Sequence, residues 1–229
     1  MIMFHTPKNE ITPTSILIKG CAYLDLLDPQ PDFITLEAVA AGLEEPRFCN
    51  QTTRPITVAE HLLRCGRIAR ALGYPIQAQV ACLIHDAAEA FVRDIPGPLK
   101  RHVRVVVDGV SLTYAQVEHQ ILRAICEALI GDEQLRTDVL ELLDEDVGIV
   151  KRIDVIALRL EALKWVPGSE DWAALDDIDA RAWMVADVPE SASWSNCIYA
   201  LLDGVAHSHG FRDMDPHVRE GMLRLGLGL

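Results

Sequence analysis

The sequence predicts an all-α protein that folds as a single domain over residues 1–229. Apolar residues recur at helical spacing along most of the chain, whereas segments with strand character are few and short. The composition is that of a folded globular protein, with 50% hydrophobic and 24% charged residues. A length of 229 residues is about one and a half times the ~150 residues of a typical domain. The chain is therefore expected to bury a sizeable helical core.

The balance of charge argues against several classes of partner. The chain carries 21 Lys and Arg against 34 Asp and Glu, a formal net charge of −13 at pH 7. Such a charge repels nucleic-acid backbones and anionic lipid, although a small pocket can still hold its own positive charge. No apolar run reaches the ~18 residues of a membrane span, and no secretory signal pattern is present. These features predict a cytoplasmic protein, and the six dispersed cysteines are expected to be buried free thiols.

The first half of the chain contains the two clearest helical patterns. Residues 58–72 place apolar side chains on one stripe, with Thr57 as the expected N-cap and Gly73 as the stop signal. Residues 75–91 are apolar around most of their circumference, as expected of a helix buried among others. Ahead of both, residues 15–29 can supply a small hairpin or an extended arm.

The second half of the chain continues the helical pattern after a break. Two prolines and a glycine in residues 94–98 predict a loop. Residues 103–107 have strand composition, but one short segment cannot form a sheet alone. Further helices are predicted over residues 112–130, 139–143 and 146–165, with at least one more in a remainder that includes residues 183–185 and 197–206.

Imidazole and carboxylate side chains stand where these helices should be apolar. His85 and Asp86 directly follow an apolar run, and Glu89 lies one turn beyond His85. His61 and Asp154 interrupt the apolar faces of two other predicted helices. Burying such groups is costly unless they bind a metal, pair or hydrogen-bond. Two imidazoles and two carboxylates suit a divalent ion such as Mn, Co, Fe, Ni or Zn, with positions left for water.

Each of these residues also has an ordinary structural interpretation. His61 taken alone fits a partly exposed helix position, and Asp154 fits an ion-pair partner of an arginine on its own helix. Glu89 and Asp94 taken singly fit surface acids. Helical periodicity alone leaves the metal site and these alternatives open.

The residues His61, His85, Asp86 and Asp154 resemble the H…HD…D signature of HD-domain metal-dependent phosphohydrolases. The surrounding segments RFCNQT…ITVAEH, LIHDAAEAFVRDIPGPLK and VKRIDVIAL look like the bacterial 5′-deoxynucleotidase branch and its phage relatives, some of which are deoxynucleoside triphosphohydrolases. The resemblance covers about residues 18–164 and implies an HD-domain helical bundle. Residues 165–229 form a helical C-terminal extension outside it.

The resemblance implies a catalytic role for the matched residues. The bound ion would polarise a phosphoryl oxygen and lower the pKa of a bound water. Glu89 would orient or deprotonate that water, and Asp94 would assist proton transfer or position the water and the leaving group. The metal ligands would be His61, His85, Asp86 and Asp154.

The resemblance also implies substrate contacts. Arg47 would bind phosphate or a sugar hydroxyl, Lys100 would place a positive charge near the phosphates, and Lys151 or Arg152 could assist. Phe48 occupies a position where the deoxynucleotidases often carry tryptophan and the phage relatives carry phenylalanine, so its ring could stack on base or deoxyribose. The alternatives for these residues are solvated surface charge and plain core packing.

The activity implied is hydrolysis of deoxynucleoside 5′-monophosphates to nucleoside and phosphate, with one divalent ion (Mn, Co, Zn, Fe, Ni or Mg) as cofactor. The closest rival is a dNTP triphosphohydrolase that releases triphosphate. A rival from another class is a nucleotide-sensing protein without turnover, against which the presence of both Glu89 and Asp94 argues. The implied partners are a small nucleotide and a second copy of the chain in a homodimer, with neither polymeric nucleic acid nor a membrane.

Other histidines offer weaker metal sites. His207, His209 and His217 lack a supporting carboxylate or cysteine and are interpreted as solvated surface residues. His102 and His119 are the candidates for a second metal cluster beside the first. One metal ion is therefore the expectation.

Overall fold

Helices make up most of the described structure, as the sequence predicts. The structure is a computed structural model and describes residues 9–20, 22–107, 109–145, 148–170, 181–182, 185, 187–188 and 193–206. Within these ranges no helix is long and apolar enough to cross a membrane. The helices are α1 (Leu36–Gly42), α2 (Val58–Ala71), α3 (Ile76–Ile84), α4 (Glu89–Val92), α5 (Gly97–Lys100), α6 (Tyr114–Leu129), α7 (Glu133–Leu143), α8 (Ile149–Trp165) and α9 (Trp194–Ala206).

A two-stranded antiparallel hairpin begins the described chain. Its strands are β1 (Ser15–Ile18) and β2 (Ala22–Asp25), paired so that Ser15 faces Asp25. The Asp25 carboxylate accepts a hydrogen bond from the hydroxyl of Thr14 at 2.6 Å and ties the open end of the hairpin together. The small hairpin expected in residues 15–29 is therefore confirmed.

A second antiparallel hairpin lies before α6 and was not expected. Its strands are β3 (Arg104–Val107) and β4 (Val110–Thr113). The strand composition of residues 103–107 is confirmed, but the expectation that this short segment makes no sheet is wrong, because the residues that follow fold back and pair with it as β4. The helix expected from about residue 112 instead begins at Tyr114, where Thr113 and Gln116 form a capping box.

Helices α2, α3 and α8 form the centre of the core and carry the predicted ligands. The hydroxyl of Thr57 accepts a hydrogen bond from the backbone N–H of Glu60, and Gly73 turns the chain with φ of +82°, so both helix-end signals are confirmed. Gly66 allows α2 to approach α3 closely, because a Cβ there would lie 2.6 Å from Cγ of Leu83. Fully or nearly fully buried side chains from the three helices fill the centre: Leu62, Ile68, Leu83, Ile84, Ile153 and Leu160.

Residues 85–88 form a tight turn between α3 and α4, so the prediction of one helix over residues 75–91 is wrong. The backbone N–H of Ala87 donates to the carbonyl of Ile84 at 2.8 Å, and the N–H of Glu89 donates to the carbonyl of Asp86 at 3.0 Å. These bonds span three residues instead of four and wind the chain more tightly than an α-helix. The segment contains neither glycine nor proline, so no local signal marks the break.

Two later helices differ in length from their predictions. The helical segment predicted at 139–143 extends back to Glu133, because the side chain of Asp132 caps the helix by accepting from the N–H of Leu135. Helix α8 begins at Ile149 rather than at 146, which lies outside the described residues. Its end at Trp165, before Pro167, agrees with the prediction.

Helix α9 packs against the core. Trp194 is buried, and its Nε1 donates a hydrogen bond to the carbonyl of Leu83 at 2.6 Å. Cys197 and Ile198 are buried beside it in the same hydrophobic core. Trp172 and Trp183, and the histidines His207, His209 and His217, lie outside the described residues.

The cysteines of the described chain are free, as expected. Cys65, Cys82, Cys126 and Cys197 are buried, whereas Cys49 is exposed. Cys21 lies outside the described residues.

Candidate functional site

The fold brings the four predicted ligands together although they are distant in sequence. His61 comes from the first turns of α2, His85 and Asp86 from the turn after α3, and Asp154 from α8. One nitrogen or oxygen of each residue lies within 4.8 Å of the corresponding atoms of the other three. Nε2 of His61 is 3.3 Å from Oδ1 of Asp154 and 3.7 Å from Oδ2 of Asp86. Nε2 of His85 is 3.4 and 3.8 Å from the same two oxygens of Asp86 and Asp154. The cluster could hold a metal ion.

The donor spacing and the ring orientations fit a divalent cation. Nitrogen and oxygen ligands of a tetrahedral zinc lie about 3.4 Å apart, close to the separations observed. Nδ1 of His61 donates to Oε1 of Glu161 at 2.9 Å, and Nδ1 of His85 donates to the carbonyl of Cys82 at 3.0 Å. Both rings therefore direct Nε2 into the cluster. Nε2 of His85 is buried and has no hydrogen-bond partner there, as expected of an atom meant for a ligand.

The electrostatics of the cluster favour positive charge. Burial by itself would raise the pKa of Asp86 and of Asp154, but the neighbouring histidines hold both well below the usual range. Burial lowers the pKa of His85, but Asp86 and Asp154 outweigh it and raise the pKa to about 10. Two ionised carboxylates thus share the centre of the cluster and attract a cation.

A second layer of charge, which the sequence reasoning missed, supports His61. Glu161 lies two turns beyond Asp154 on α8 and is fully buried. It accepts hydrogen bonds from His61 and from Arg64, which is itself fully buried. Burial raises the pKa of Glu161, but His61, Arg47 and Arg64 lower it to about 2. Helical spacing could have indicated these two residues, because Glu161 shares a face of α8 with Asp154 and Arg64 shares a face of α2 with His61.

Glu89 begins α4 as a buried carboxylate, so its interpretation as a surface acid is wrong. The residue is 3% exposed, and its Oε2 has no hydrogen-bond partner. Its Oε1 lies 3.5 Å from Nζ of Lys100. Burial, together with repulsion from Asp86 and Asp94, raises the pKa of Glu89 to about 9. A carboxyl group with such a pKa holds a proton at neutral pH, so Glu89 is neutral in the absence of a bound cation.

A cavity of about 590 Å³ opens beside the cluster and collects the predicted catalytic and substrate-binding residues. Its polar lining consists of Arg47, Gln51, Asp86, Glu89, Asp94, Lys100, Lys151 and Asp154. Its apolar lining includes Phe48, Ile95, Pro96, Pro98, Leu158 and Val166. His61 and His85 do not line the cavity, and Arg152 is exposed outside it. The cavity therefore combines charged and apolar lining residues beside the cluster.

The cations of the cavity each contact a carboxylate. Arg47 is buried, with Nη1 3.3 Å from Oδ2 of Asp86 and Nε 3.4 Å from Oε2 of Glu161. Nζ of Lys151 donates to Oδ2 of Asp154 at 2.6 Å. Arg47 thus braces a predicted ligand and Glu161 at the same time, a role beyond the phosphate contact expected for it.

Lys100 contacts two acids, Glu118 and Glu89. Its Nζ is 2.6 Å from Oε1 of Glu118 and 3.5 Å from Oε1 of Glu89. Burial lowers the pKa of Lys100, but Glu118 and Asp86 outweigh it and raise the pKa, so the amine stays charged. Glu118, on α6, is a second residue that sequence reasoning missed.

Phe48 lies in a strained turn at the edge of the cavity. It and the next two residues, Cys49 and Asn50, have φ of +54°, +50° and +58°. Non-glycine residues adopt this left-handed conformation rarely, and a run of three is held only by its surroundings. The guanidinium carbon of Arg47 lies 5.7 Å from the centre of the Phe48 ring. The ring is therefore available to a ligand in the cavity instead of being packed in the core.

The histidines considered for a second metal cluster lie elsewhere. His102 is exposed, and Nδ1 of His119 lies 3.6 Å from a carboxylate oxygen of Asp144 on the surface. Among the described residues, the groups of donors close enough to hold a metal ion all include His61 and His85.

Comparison with known proteins gives two similar sequences. No protein-family model matches the chain. An uncharacterized protein of Rhodobacter capsulatus is 31% identical over 145 residues, which are 61% of this chain and 66% of that protein. The uncharacterized protein YfdR of Escherichia coli is 34% identical over 71 residues, which are 31% of this chain and 37% of that protein. The alignments thus cover less than two thirds of either relative, and neither relative's name carries an activity.

Proposed function

We propose that the protein is a metal-dependent phosphohydrolase of the HD-domain type whose substrate is a deoxynucleoside 5′-monophosphate. The observation that carries the proposal is the convergence of His61, His85, Asp86 and Asp154 beside a cavity that also contains the buried carboxylate of Glu89. Buried imidazoles and carboxylates at ligand spacing are costly without a cation. A proton-transfer group at the same opening is what hydrolysis requires and what a structural metal site does not.

In this proposal the four donors, Glu89 and Asp94 have different roles. A divalent ion held by the four donors would supply Lewis acidity at a phosphoryl oxygen and activate a water. Glu89 would accept a proton of the attacking water at Oε2, which has no hydrogen-bond partner, and the charge of a bound ion would offset the repulsion from Asp86 that helps to raise its pKa. Asp94, which lines the same cavity, would assist proton transfer or position the water and the leaving group.

The charges that line the cavity favour a monophosphate over a triphosphate. Arg47, Lys100 and Lys151 are the lining cations, and each already contacts a carboxylate. The lining carboxylates, Asp86, Glu89, Asp94 and Asp154, outnumber them. A divalent ion in the cluster leaves only a small positive surplus in the cavity, which suits one phosphate group and not the β- and γ-phosphates that a dNTP would bring.

The apolar lining supports a nucleoside as the other half of the substrate. The Phe48 ring and the side chains of Ile95, Leu158 and Val166 also line the cavity. Bases bind well to aromatic and aliphatic surfaces in such pockets. A phosphate near the cluster and a base against these side chains would make use of both kinds of lining.

Two variants test this division of roles. Glu89→Gln keeps the donors and the side-chain volume, so it should bind metal as the wild type does and lose about 10²–10⁴-fold in kcat. Asp86→Ala should lose both metal and activity. Glu141→Gln, an exposed acid on α7, is the matched control and should change neither. Full activity in Glu89→Gln would remove that residue from the mechanism, and unchanged metal content in Asp86→Ala would contradict the site.

A nucleotide-sensing role is the second candidate. It is favoured only if metal-bound wild-type protein binds deoxynucleotides and turns none of them over. The buried Glu89 argues against it, because a sensor gains nothing from an unpartnered carboxylate at the opening.

A further inference from the structure

The backbone of Arg93 is strained at the point where α4 ends. Arg93 has φ of 78° and ψ of 154°, a combination that is almost reserved for glycine. A residue with a Cβ keeps such a conformation only when its surroundings hold it there. Glu89 begins the helix before Arg93, and Asp94 follows directly after it. The strained residue therefore joins the two acids that the proposed reaction uses.

The hydroxyl of Tyr114 contacts this strained turn. Its oxygen lies 2.7 Å from the carbonyl oxygens of both Val92 and Arg93, which share its hydrogen bond. Tyr114 is 5% exposed and is the first residue of α6, whose start is fixed by the capping box of Thr113 and Gln116. Burial raises the pKa of Tyr114, so the hydroxyl keeps its proton and remains a donor. The start of α6 therefore holds the last carbonyls of α4 in place.

The side chain of Arg93 has a contact of its own, which does not explain the strain. Its guanidinium pairs with the carboxylate of Glu45, although the Arg93 side chain is 70% exposed. An exposed ion pair of this kind contributes little, and it fixes the end of a flexible side chain and not the main-chain angles. The contact that acts on the backbone itself is the one from Tyr114.

The place of Asp94 in the cavity follows from this turn. Asp94 and residues 95–98 line the cavity together with Glu89. If Arg93 relaxed to one of the common conformations with negative φ, the chain after it would leave α4 in another direction and carry Asp94 with it. The position of Asp94 therefore depends on a backbone conformation that Tyr114 holds.

We propose that Tyr114 is a positioning residue that holds the strained backbone of Arg93 and thereby keeps Asp94 in the cavity beside Glu89. The expected effect on turnover rests on the proposed function, whereas the holding of the backbone does not. Tyr114 is not among the residues that line the cavity, so it acts through Asp94.

The stability of two Arg93 variants tests the strain without any turnover. Arg93→Gly and Arg93→Ala both lose the ion pair with Glu45, but only glycine relieves the backbone. Arg93→Gly should therefore unfold at a higher denaturant concentration than Arg93→Ala, the reverse of the order at positions with negative φ. Tyr114→Phe should destabilise Arg93→Ala more than Arg93→Gly, because glycine does not need to be held. An Arg93→Ala protein at least as stable as Arg93→Gly overturns the inference.

Turnover of a deoxynucleoside 5′-monophosphate by the metal-loaded protein tests the positioning. Tyr114→Phe removes only the hydroxyl and should lower kcat about tenfold or more, with little change in KM or metal affinity. In an Asp94→Asn background the same substitution should lower kcat by less than about twofold, because the carboxylate that it positions is already gone. Tyr199→Phe changes an exposed tyrosine on α9 and is the matched control, which should keep the kcat of the wild type.

A rescue separates positioning from a general loss of structure. Arg93→Gly added to Tyr114→Phe should recover most of the lost kcat, whereas Arg93→Ala should recover none. Equal recovery by the two, an unchanged kcat in Tyr114→Phe, or equal losses with and without Asp94→Asn overturns the positioning role and leaves the proposed function intact. A wild type that turns over no nucleotide overturns the proposed function and the effect on turnover, and the order of stability of the Arg93 variants still decides whether Tyr114 holds a strained turn.

Discussion

At the scale of single residues, a buried ion pair and a buried hydrogen bond hold side chains of the site in position. Arg64 and Glu161 are fully buried and contact each other, and Glu161 also accepts from His61. Removing one member of such a group leaves its partner's charge buried, which typically costs about 3–5 kcal/mol. The network therefore fixes the ring of His61 before any ligand binds, whereas Oε2 of Glu89 remains buried without a hydrogen-bond partner.

The pH dependence of stability should report the burial of Glu89. Its pKa is raised from 4.5 to about 9 in the folded state, so the folded protein binds more protons than the unfolded one between these values. The corresponding stability is present below about pH 4.5 and is lost as the pH rises through about 9. Metal-free wild type should therefore lose more stability than Glu89→Gln between pH 5 and pH 9. Denaturant unfolding at a series of pH values measures this difference, and parallel profiles for the two proteins would contradict it.

At the scale of elements, the position of Glu89 depends on how two short helices, α1 and α4, pack against each other. Helix α4 carries Glu89 and rests on α1 at Gly42, where a Cβ would lie 2.2 Å from the carbonyl oxygen of Ala90. A backbone oxygen cannot move aside as a side chain can. The distance between α1 and α4 is therefore set by the absence of a side chain at Gly42.

Gly42→Ala should push α4 away from α1 and move Glu89 with it. We expect a loss of about 1–3 kcal/mol in unfolding free energy, as in other overpacked cores. Metal binding should persist, because no ligand lies on α4, whereas kcat should fall. Gly131→Ala is the control, since a Cβ there has nothing within 4 Å. Equal stability of Gly42→Ala and wild type in denaturant unfolding would contradict this account of the packing.

Local signals in the sequence predicted some elements, and long-range packing decided the others. Thr57 and Gly73 mark the ends of α2 through their own hydrogen bonds and backbone angles, so those ends could be predicted. The break after Ile84 has no such local signal and follows from how the chain packs. The pairing of β3 with β4 was missed because the residues from 112 onward were assigned to the next helix, although the β-branched Val110 and Thr113 favour a strand.

Of the candidate site, the four residues of the donor cluster could be predicted from the sequence, but the acids that contact their neighbours could not. The four residues of the donor cluster could be named because they are polar residues in apolar helical segments and because they resemble a known signature. Glu161 and Glu118 could not, because each acts through a partner distant in sequence, His61 for the first and Lys100 for the second. Such partners become visible only when the helices are packed together.

At the scale of the whole molecule, a bound cation would join helices that are far apart in the chain. Its donors come from α2, the turn after α3, and α8, and these elements form the centre of the core. The formal net charge of −13 adds a general repulsion that a bound cation reduces. Metal binding should therefore stabilise the fold as well as the site.

Thermal unfolding should show this coupling. A ligand that binds only the folded state stabilises it by about 2.7 kcal/mol at a free concentration one hundred times its Kd. The wild type should gain a higher Tm on addition of Zn²⁺ or Co²⁺, and Asp86→Ala should not. A Tm of the wild type that ignores every divalent ion would contradict a site that joins the three elements.

Product analysis tests the central claim most directly. Metal-stripped protein is reloaded in turn with Mn, Co, Zn and Mg, incubated with deoxynucleoside monophosphates, ribonucleoside monophosphates and dNTPs, and its products are separated by chromatography. Nucleoside and inorganic phosphate from the deoxynucleoside monophosphates is the predicted result. Release of triphosphate from dNTPs, or no turnover of any nucleotide with any metal, would contradict it.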